Sequence, residues 1–428
     1  MKYIKQLTLI PALLLSVGCV KQTAPQTAKI PDNAIYVPSP VATPYPITTT
    51  IPSYPVVTTS YPPITYPPAP IATPYPVVIP YPTSTPRPMI VPISHTQENF
   101  PTYIQQRSKY LNGAYRSNYK LKKFINMMAS KHHYDKYKLN SIFSTVHRDR
   151  FALEKIGAFK SSKPSKAKAS RTGSWDKYRA NFITTERITK GVNFWRDNEY
   201  YLNKASQRYG VAPEYIIGII GVETNFGGYT GKHSVLDALT SIALEFPKRS
   251  KFFTSELENY LLMLRDEQIH PQAIKGSYAG AFGLSQFMPS SFREYAVDLD
   301  GDGHINLFST ADAIGSIANY FIGRGKWNSQ IPVAMKTYYN KARFYGLATG
   351  FKTKYSQKHL YSLGMRPSSS FYGYKGNVSL IKLSRYTRDE LWWGTDNFYA
   401  IARYNPKDHY AMAVHQLAQA VRKAHYRR

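Results

Sequence analysis

The chain has 428 residues and a formal net charge of +29, with 55 Lys and Arg against 26 Asp and Glu, and it contains one cysteine. A single cysteine excludes a fold stapled by its own disulfides, and a hydrophobic content of 43% excludes a wholly disordered chain. Twenty of the 30 prolines lie between Pro25 and Pro92, so the folded part must lie mostly after that stretch.

Residues 1–18 join Lys2 and Lys5 to the apolar run Leu7 to Leu15 and then to small residues ending at Gly18. This is the pattern of a secretory signal. The run is too short to span a bilayer of roughly 30 Å, and no later run reaches the roughly 20 apolar residues that a spanning helix needs. Leu15-Ser16-Val17-Gly18-Cys19 resembles a bacterial lipoprotein cleavage site, with Ser16 where Leu is usual, which makes Cys19 the candidate lipidation site. A plain signal peptide cleaved nearby is the alternative. Val20 follows the cysteine, and the absence of Asp there implies sorting to the outer membrane, with acyl chains as the anchor on its periplasmic face. The positive charge calls for a polyanionic partner or surface, and export argues against nucleic acid; charge kept for solubility alone is the plainer reading.

Residues 19–97 read as a linker, with Tyr-Pro pairs at Tyr45, Tyr54, Tyr61, Tyr66, Tyr75 and Tyr81. Its prolines favour polyproline II and a semi-rigid tether. The folded region is expected over 98–428. Helical patterning runs from Tyr103 to about Phe159, and a small, polar, basic loop follows at 160–175 (SSKPSKAKASR at its centre). A core is expected over about 176–340. There a helix is read from Val192 to Tyr209, stopping at Gly210, and the next opens with Pro213 and runs to Glu223. That second helix is apolar nearly all round and therefore buried. A small β section is expected over about 345–400, with Val378 to Leu383 as a strand, and a last helix over 408–424. The fold class is mainly α, of α+β type.

Glu223 follows Ile220, Ile219 and Ile216 at helical spacings, so its carboxyl sits at the end of an apolar stripe. Desolvation raises the pKa of such a carboxyl, and an acid protonated near neutral pH can donate to a glycosidic oxygen. An ordinary helix-end glutamate reaching solvent is the plainer alternative. The segment Ile220-Gly221-Val222-Glu223-Thr224-Asn225-Phe226-Gly227 resembles the catalytic segment of the membrane-bound lytic murein transglycosylase B family. Asp237-Ala238-Leu239, Leu262 to Gln268, Lys275-Gly276-Ser277, Ala279-Gly280-Ala281, Gln286 to Ser291 and Tyr404-Asn405 follow in the family's order. The resemblance covers roughly Phe124 to Val421 outside the basic loop.

What the resemblance implies is a lysozyme-like helical core in which Glu223 is both acid and base. It would protonate the oxygen between N-acetylmuramic acid and N-acetylglucosamine, then take the proton of the muramoyl C6 hydroxyl as a 1,6-anhydro end forms. Ser277 and Gln286 would line the cleft, and Tyr320, Tyr404, Asn405 and Tyr410 match cleft positions. Lys248 and Arg249 occupy a basic position that could meet muramoyl carboxylates, or they are merely solvated. Phe252 stands where the family commonly has tyrosine. The implied partners are peptidoglycan glycan strands, the membrane through the lipid anchor, and cell-wall synthesis or degradation proteins.

Asp298-Leu299-Asp300-Gly301-Asp302-Gly303-His304-Ile305-Asn306 places carboxylates at positions one, three and five and a glycine at six, the start of an EF-hand-like calcium loop. At position seven the ligand is the backbone carbonyl of His304. Position twelve is Ser309, which cannot supply the usual bidentate carboxylate; in the resembled family a longer loop is closed by an aspartate, here Asp312. The calcium is expected to be structural, and a metal-free turn rich in Asp and Gly is the alternative. Three rival readings of the whole chain are a true muramidase, a scaffolding lipoprotein without catalysis, and a calcium-regulated adhesin.

Overall fold

The computed structural model describes residues 106–159, 172–339, 344, 346–369 and 374–427. The expected signal peptide, Cys19, the expected linker and most of the basic loop lie outside them.

Three short helices lead in: α1 (Tyr119–His132), α2 (Lys136–Ser144) and α3 (Arg150–Ile156). Each starts at a side-chain cap, since Asn118, Asp135 and Asp149 accept first-turn backbone N–H groups. Leu121, Phe124, Ile125 and Met128 recur at helical spacing and bury the inner face of α1. After the basic loop come α4 (Ser174–Arg179), α5 (Thr185–Asp197) and α6 (Glu199–Tyr209). The single helix expected from Val192 to Tyr209 is thus two, broken at Asn198, whose side-chain amide donates to the Phe194 carbonyl at 2.9 Å. A residue whose side chain competes for backbone hydrogen bonds turns the chain there.

Helix α7 (Pro213–Thr224) has no polar face, and every residue from Glu214 to Thr224 is buried. It packs on the C-terminal helix α14 (Asp408–His425). Gly218 makes that approach possible: a Cβ there would lie 2.9 Å from the Val414 carbonyl oxygen and 3.3 Å from the Ala418 Cβ. Beyond Thr224 the backbone is left-handed at Asn225, Phe226 and Gly227 in succession, with φ of 52°, 60° and 83°. The Phe226 ring packs on Phe194 at 5.6 Å between centroids.

Helices α8 (Val235–Glu245) and α9 (Ser250–Asp266) pack together, followed by α10 (Pro289–Tyr295) and α11 (Thr310–Tyr320). A two-stranded antiparallel ribbon joins β1 (His233–Ser234) to β2 (Lys275–Gly276) and delivers the chain to Ser277. Past α11 the chain enters a four-stranded antiparallel sheet in the order β4-β3-β6-β5, made of β3 (Ala334–Tyr339), β4 (Met365–Pro367), β5 (Ser379–Leu383) and β6 (Glu390–Gly394). Strand β5 is the one read from the sequence. The sheet, however, starts at Ala334, before the expected boundary, and residues expected at the end of the β section form helix α13 (Asp396–Tyr404) instead. One sheet face, with Leu380, Leu391 and Trp393, packs on Leu360 of α12 (Gln357–Ser362); the other, with Ile381 and Leu383, joins the main core. No helix among the described residues is long and apolar enough to cross a membrane.

Candidate active site

Glu223 occupies the last turn of α7, 7% exposed, with Ile216, Ile219 and Ile220 wholly buried behind it. Burial pushes its carboxyl up to about 7, while a hydrogen bond from Tyr410 pulls the other way. Tyr410, in the first turn of α14, donates to Oε1 of Glu223 at 2.5 Å and is itself buried. The close approach of α7 and α14 therefore sets the distance between acid and phenol.

The rings of Tyr320 and Tyr404 pack against each other at a tilt of 58°, with centroids 4.8 Å apart. Tyr404 is coupled electrostatically to Glu223, but its hydroxyl donates to the Ser285 carbonyl at 2.5 Å. The Tyr320 hydroxyl donates to the Arg403 carbonyl at 2.8 Å. Both therefore give their hydrogens to backbone, leaving a ring face and a phenol oxygen for other contacts. Asn405, buried, follows Tyr404 at the end of α13.

Ser277, at the end of β2, is held by the turn that follows it. Its N–H donates to the Ala281 carbonyl at 2.7 Å and its Oγ accepts the Ala281 N–H at 3.1 Å, so its hydroxyl hydrogen is left to donate. Gln286 sits in a left-handed conformation at φ 50°, and its Nε2 donates to the carbonyls of Thr230 and Gly283, each at 2.9 Å. That ties the loop after α7 to the 283–287 turn and leaves Oε1 as the group with acceptor capacity. Lys248 is exposed, and the Arg249 guanidinium lies 4.5 Å from the Phe252 ring centroid, in the turn between α8 and α9.

Tyr178 of α4 also belongs here and was not read from the sequence. Burial raises its hydroxyl and the Glu223 carboxyl raises it further, and it in turn acts on Tyr410. Its ring packs on Trp175, Phe182 and His409. Its only local signal was the spacing of two aromatics, Trp175 and Tyr178, three residues apart after the basic loop.

Away from Glu223, Asp298, Asp300 and Asp312 bring carboxylate oxygens within 4.8 Å of one another. Asp312, in the first turn of α11 and 1% exposed, closes the group and accepts the N–H groups of Leu299 and Asn306 at 2.8 Å each. Burial pushes its carboxyl up, as do Asp300 and Asp298. Asp298 accepts the N–H groups of Gly301 and Gly303, and Gly303 turns the chain at φ 91°. Asp302 and His304 stand outside this three-carboxylate group; Asp302 instead accepts the His304 N–H at 2.8 Å. Three converging carboxylates, one of them buried, fit a hard divalent cation, whose charge would relieve their mutual repulsion.

Residues 116–419 match the transglycosylase SLT domain family. The chain is 44% identical over 317 residues to membrane-bound lytic murein transglycosylase B of Escherichia coli K12, covering 74% of this chain and 86% of that one. The chain belongs to the membrane-bound lytic murein transglycosylase B family. The Escherichia coli lytic transglycosylase Slt35 solved with bulgecin A superposes with a TM-score of 0.68 at 43% identity, covering 75% of this chain and 97% of that one. Slt35 solved with calcium gives the same values. The helical, lysozyme-like core expected for a transglycosylase B family member is thus present, and the chain is an enzyme of the lytic transglycosylase kind.

Proposed function

We propose that this enzyme cleaves the β-1,4 bond between N-acetylmuramic acid and N-acetylglucosamine in peptidoglycan, leaving a 1,6-anhydromuramoyl end, with Glu223 as acid and then base. The observation that carries this reading is the buried Glu223 carboxyl, raised to about 7 and coupled to tyrosines. A hydrolase with two carboxylates needs a second one at a defined separation. Among the described residues the side chains coupled to Glu223 are Tyr178, Tyr404 and Tyr410, none of which can act as that carboxylate.

Protonated Glu223 gives its proton to the glycosidic oxygen, and the bond from that oxygen to C1 breaks. The neighbouring N-acetyl group of the substrate shares the positive charge at C1. Tyr410, donating to Oε1, steadies the carboxylate so formed. That carboxylate then takes the proton of the C6 hydroxyl as its oxygen bonds to C1, which returns Glu223 to its starting state without consuming water. The Ser277 hydroxyl donates and Gln286 Oε1 accepts at the sugar, Asn405 supplies an amide, and Tyr320 and Tyr404 offer ring faces. Lys248 and Arg249 meet muramoyl carboxylates.

Asp298, Asp300 and Asp312 would hold calcium, with Asp302 and the His304 carbonyl as further donors; the ion's charge would stabilise the loop between α10 and α11. An export signal, a lipidated Cys19 and a proline-rich tether would together put the enzyme at the periplasmic face of the outer membrane, with cell-wall synthesis or degradation proteins as neighbours. Mass spectrometry of soluble products from purified sacculi tests the chemistry. Anhydromuropeptides are expected; products heavier by one water would make it a muramidase, and no products would favour the scaffold.

A further inference from the structure

A cavity of about 450 Å3 opens between α14 and the sheet face that carries Trp392, within the roughly 300–1,000 Å3 usual for small-ligand sites. Gln416 and Gln419, which line it, follow Tyr410 by six and nine residues. At 3.6 residues per turn those offsets rotate them by roughly 240° and 180°, onto the side of α14 away from Glu223. The cavity is therefore not part of the cleft.

Three cations line it, Arg179, Lys336 and Arg385, against one carboxylate, Glu390. Lys336 and Arg385 are committed to Glu390 at 3.1 and 2.8 Å, and Arg385 also pairs with Asp176 at 2.6 Å. Arg179 is different. Its Nε donates to Gln416 Oε1 at 2.9 Å, and among the described residues no carboxylate pairs with it. Gln416 thereby keeps its amide hydrogens, while Gln419, whose Nε2 donates to the Tyr215 hydroxyl at 3.1 Å, keeps its carbonyl oxygen. A donor and an acceptor on one helix face match the C=O and N–H of a peptide unit. Ile183, Ala420 and the Trp392 ring supply an apolar wall. Buried His415, its imidazole pushed down to about 4 by desolvation, adds no charge at neutral pH.

We propose that this cavity binds the free end of a short peptide. Its terminal carboxylate pairs with Arg179, its last peptide unit bonds to Gln416 and Gln419, and small aliphatic side chains lie against Trp392. A planar carboxylate suits an uncommitted guanidinium, whereas a dianion such as phosphate meets repulsion from Glu390. With peptidoglycan as the substrate, a premise this inference takes from the proposed function, the ligand class is an uncrosslinked stem-peptide terminus. The enzyme would then hold the wall at two points, a glycan strand in the cleft and a peptide end behind α14.

Isothermal titration of the full-length protein with a soluble, sugar-free stem pentapeptide ending in D-alanyl-D-alanine tests this. Saturable binding is expected, weakened at least about tenfold by Arg179→Gln and by amidation of the peptide terminus, and by clearly less in a Lys248→Ala/Arg249→Ala variant. Gln416→Ala, expected to weaken binding in the same direction, serves if Arg179→Gln melts early. No saturation by the native protein at millimolar peptide overturns the proposal. So does a loss in the Lys248/Arg249 variant without one in Arg179→Gln, which would place the peptide in the cleft. The peptide has no glycosidic bond, so failure here leaves the sacculus-product assay to be judged separately.

Discussion

Tyr410 donates its phenolic hydrogen to Oε1 of Glu223 across 2.5 Å, with both side chains buried. Burial favours the neutral acid and the hydrogen bond favours the carboxylate, and their balance leaves the carboxyl at about 7. A group that must first give and then recover a proton works best where both forms are accessible.

Glu223→Gln keeps the shape and removes the proton. Glycan cleavage is expected to fall by about 10²- to 10⁴-fold, with wall binding kept, as measured by product release and by co-sedimentation with sacculi.

The same substitution tests the cost of the buried acid. The folded-state pKa of about 7 lies above the ordinary 4.5, so the native state binds more protons than the unfolded chain. Stability from this group is fully present below 4.5 and is lost as pH rises towards 7. The loss is about 3 kcal/mol by pH 8. Paired melts should show Glu223→Gln gaining on the native protein between pH 5 and pH 8; equal differences at both would place the raised pKa elsewhere.

Tyr410→Phe deletes the hydrogen bond that lowers the Glu223 pKa. The alkaline limb of the pH–rate profile should move to higher pH, because the acid stays protonated longer, while kcat drops roughly tenfold or more as the carboxylate loses its donor. Profiles of the two proteins on the same sacculi decide this.

Calcium chelation should lower the melting temperature by roughly 5 °C, the order expected for losing a ligand present well above its Kd. Asp300→Ala should lower it similarly and abolish the response to chelator. Asp300 is the better choice than Asp312, which also fixes the N–H groups of Leu299 and Asn306.

Gly218→Ala would push a methyl group against the Val414 carbonyl oxygen. A loss of about 1–3 kcal/mol in denaturant unfolding is expected. A fall in kcat should accompany it, since α14 carries Tyr410 and α7 carries Glu223.

Where the chemistry was written along one helix, the sequence was readable. Ile216, Ile219, Ile220 and Glu223 share a face by spacing alone, and the Asp298 to Asn306 run announces a turn with converging oxygens. Strand β5 was legible in Ser379–Leu383 because its residues are bounded by turn signals. What the sequence hid depends on distant pairing. Ala334-Met335-Lys336-Thr337-Tyr338-Tyr339 becomes a strand only because β6 and β4 flank it. Tyr178 approaches Glu223 only because α4 packs across α14, and nothing local predicts a neighbour 45 residues ahead. The division of labour among the tyrosines was hidden for the same reason, since the acceptors at Ser285 and Arg403 lie far away in the chain.

The left-handed run at Asn225, Phe226 and Gly227 bears on how still the proton donor can be held. Helix ends ordinarily fray, and Glu223 is one residue from such an end. Here unwinding would mean withdrawing the Phe226 ring from Phe194 and breaking the bonds that Thr224 Oγ1 makes to the Ile220 carbonyl and the Gly227 N–H. Arg187 adds a clasp on the Gly221 carbonyl. An uncommon backbone shape is thus turned into a latch, and the carboxyl meets each incoming sugar already aimed.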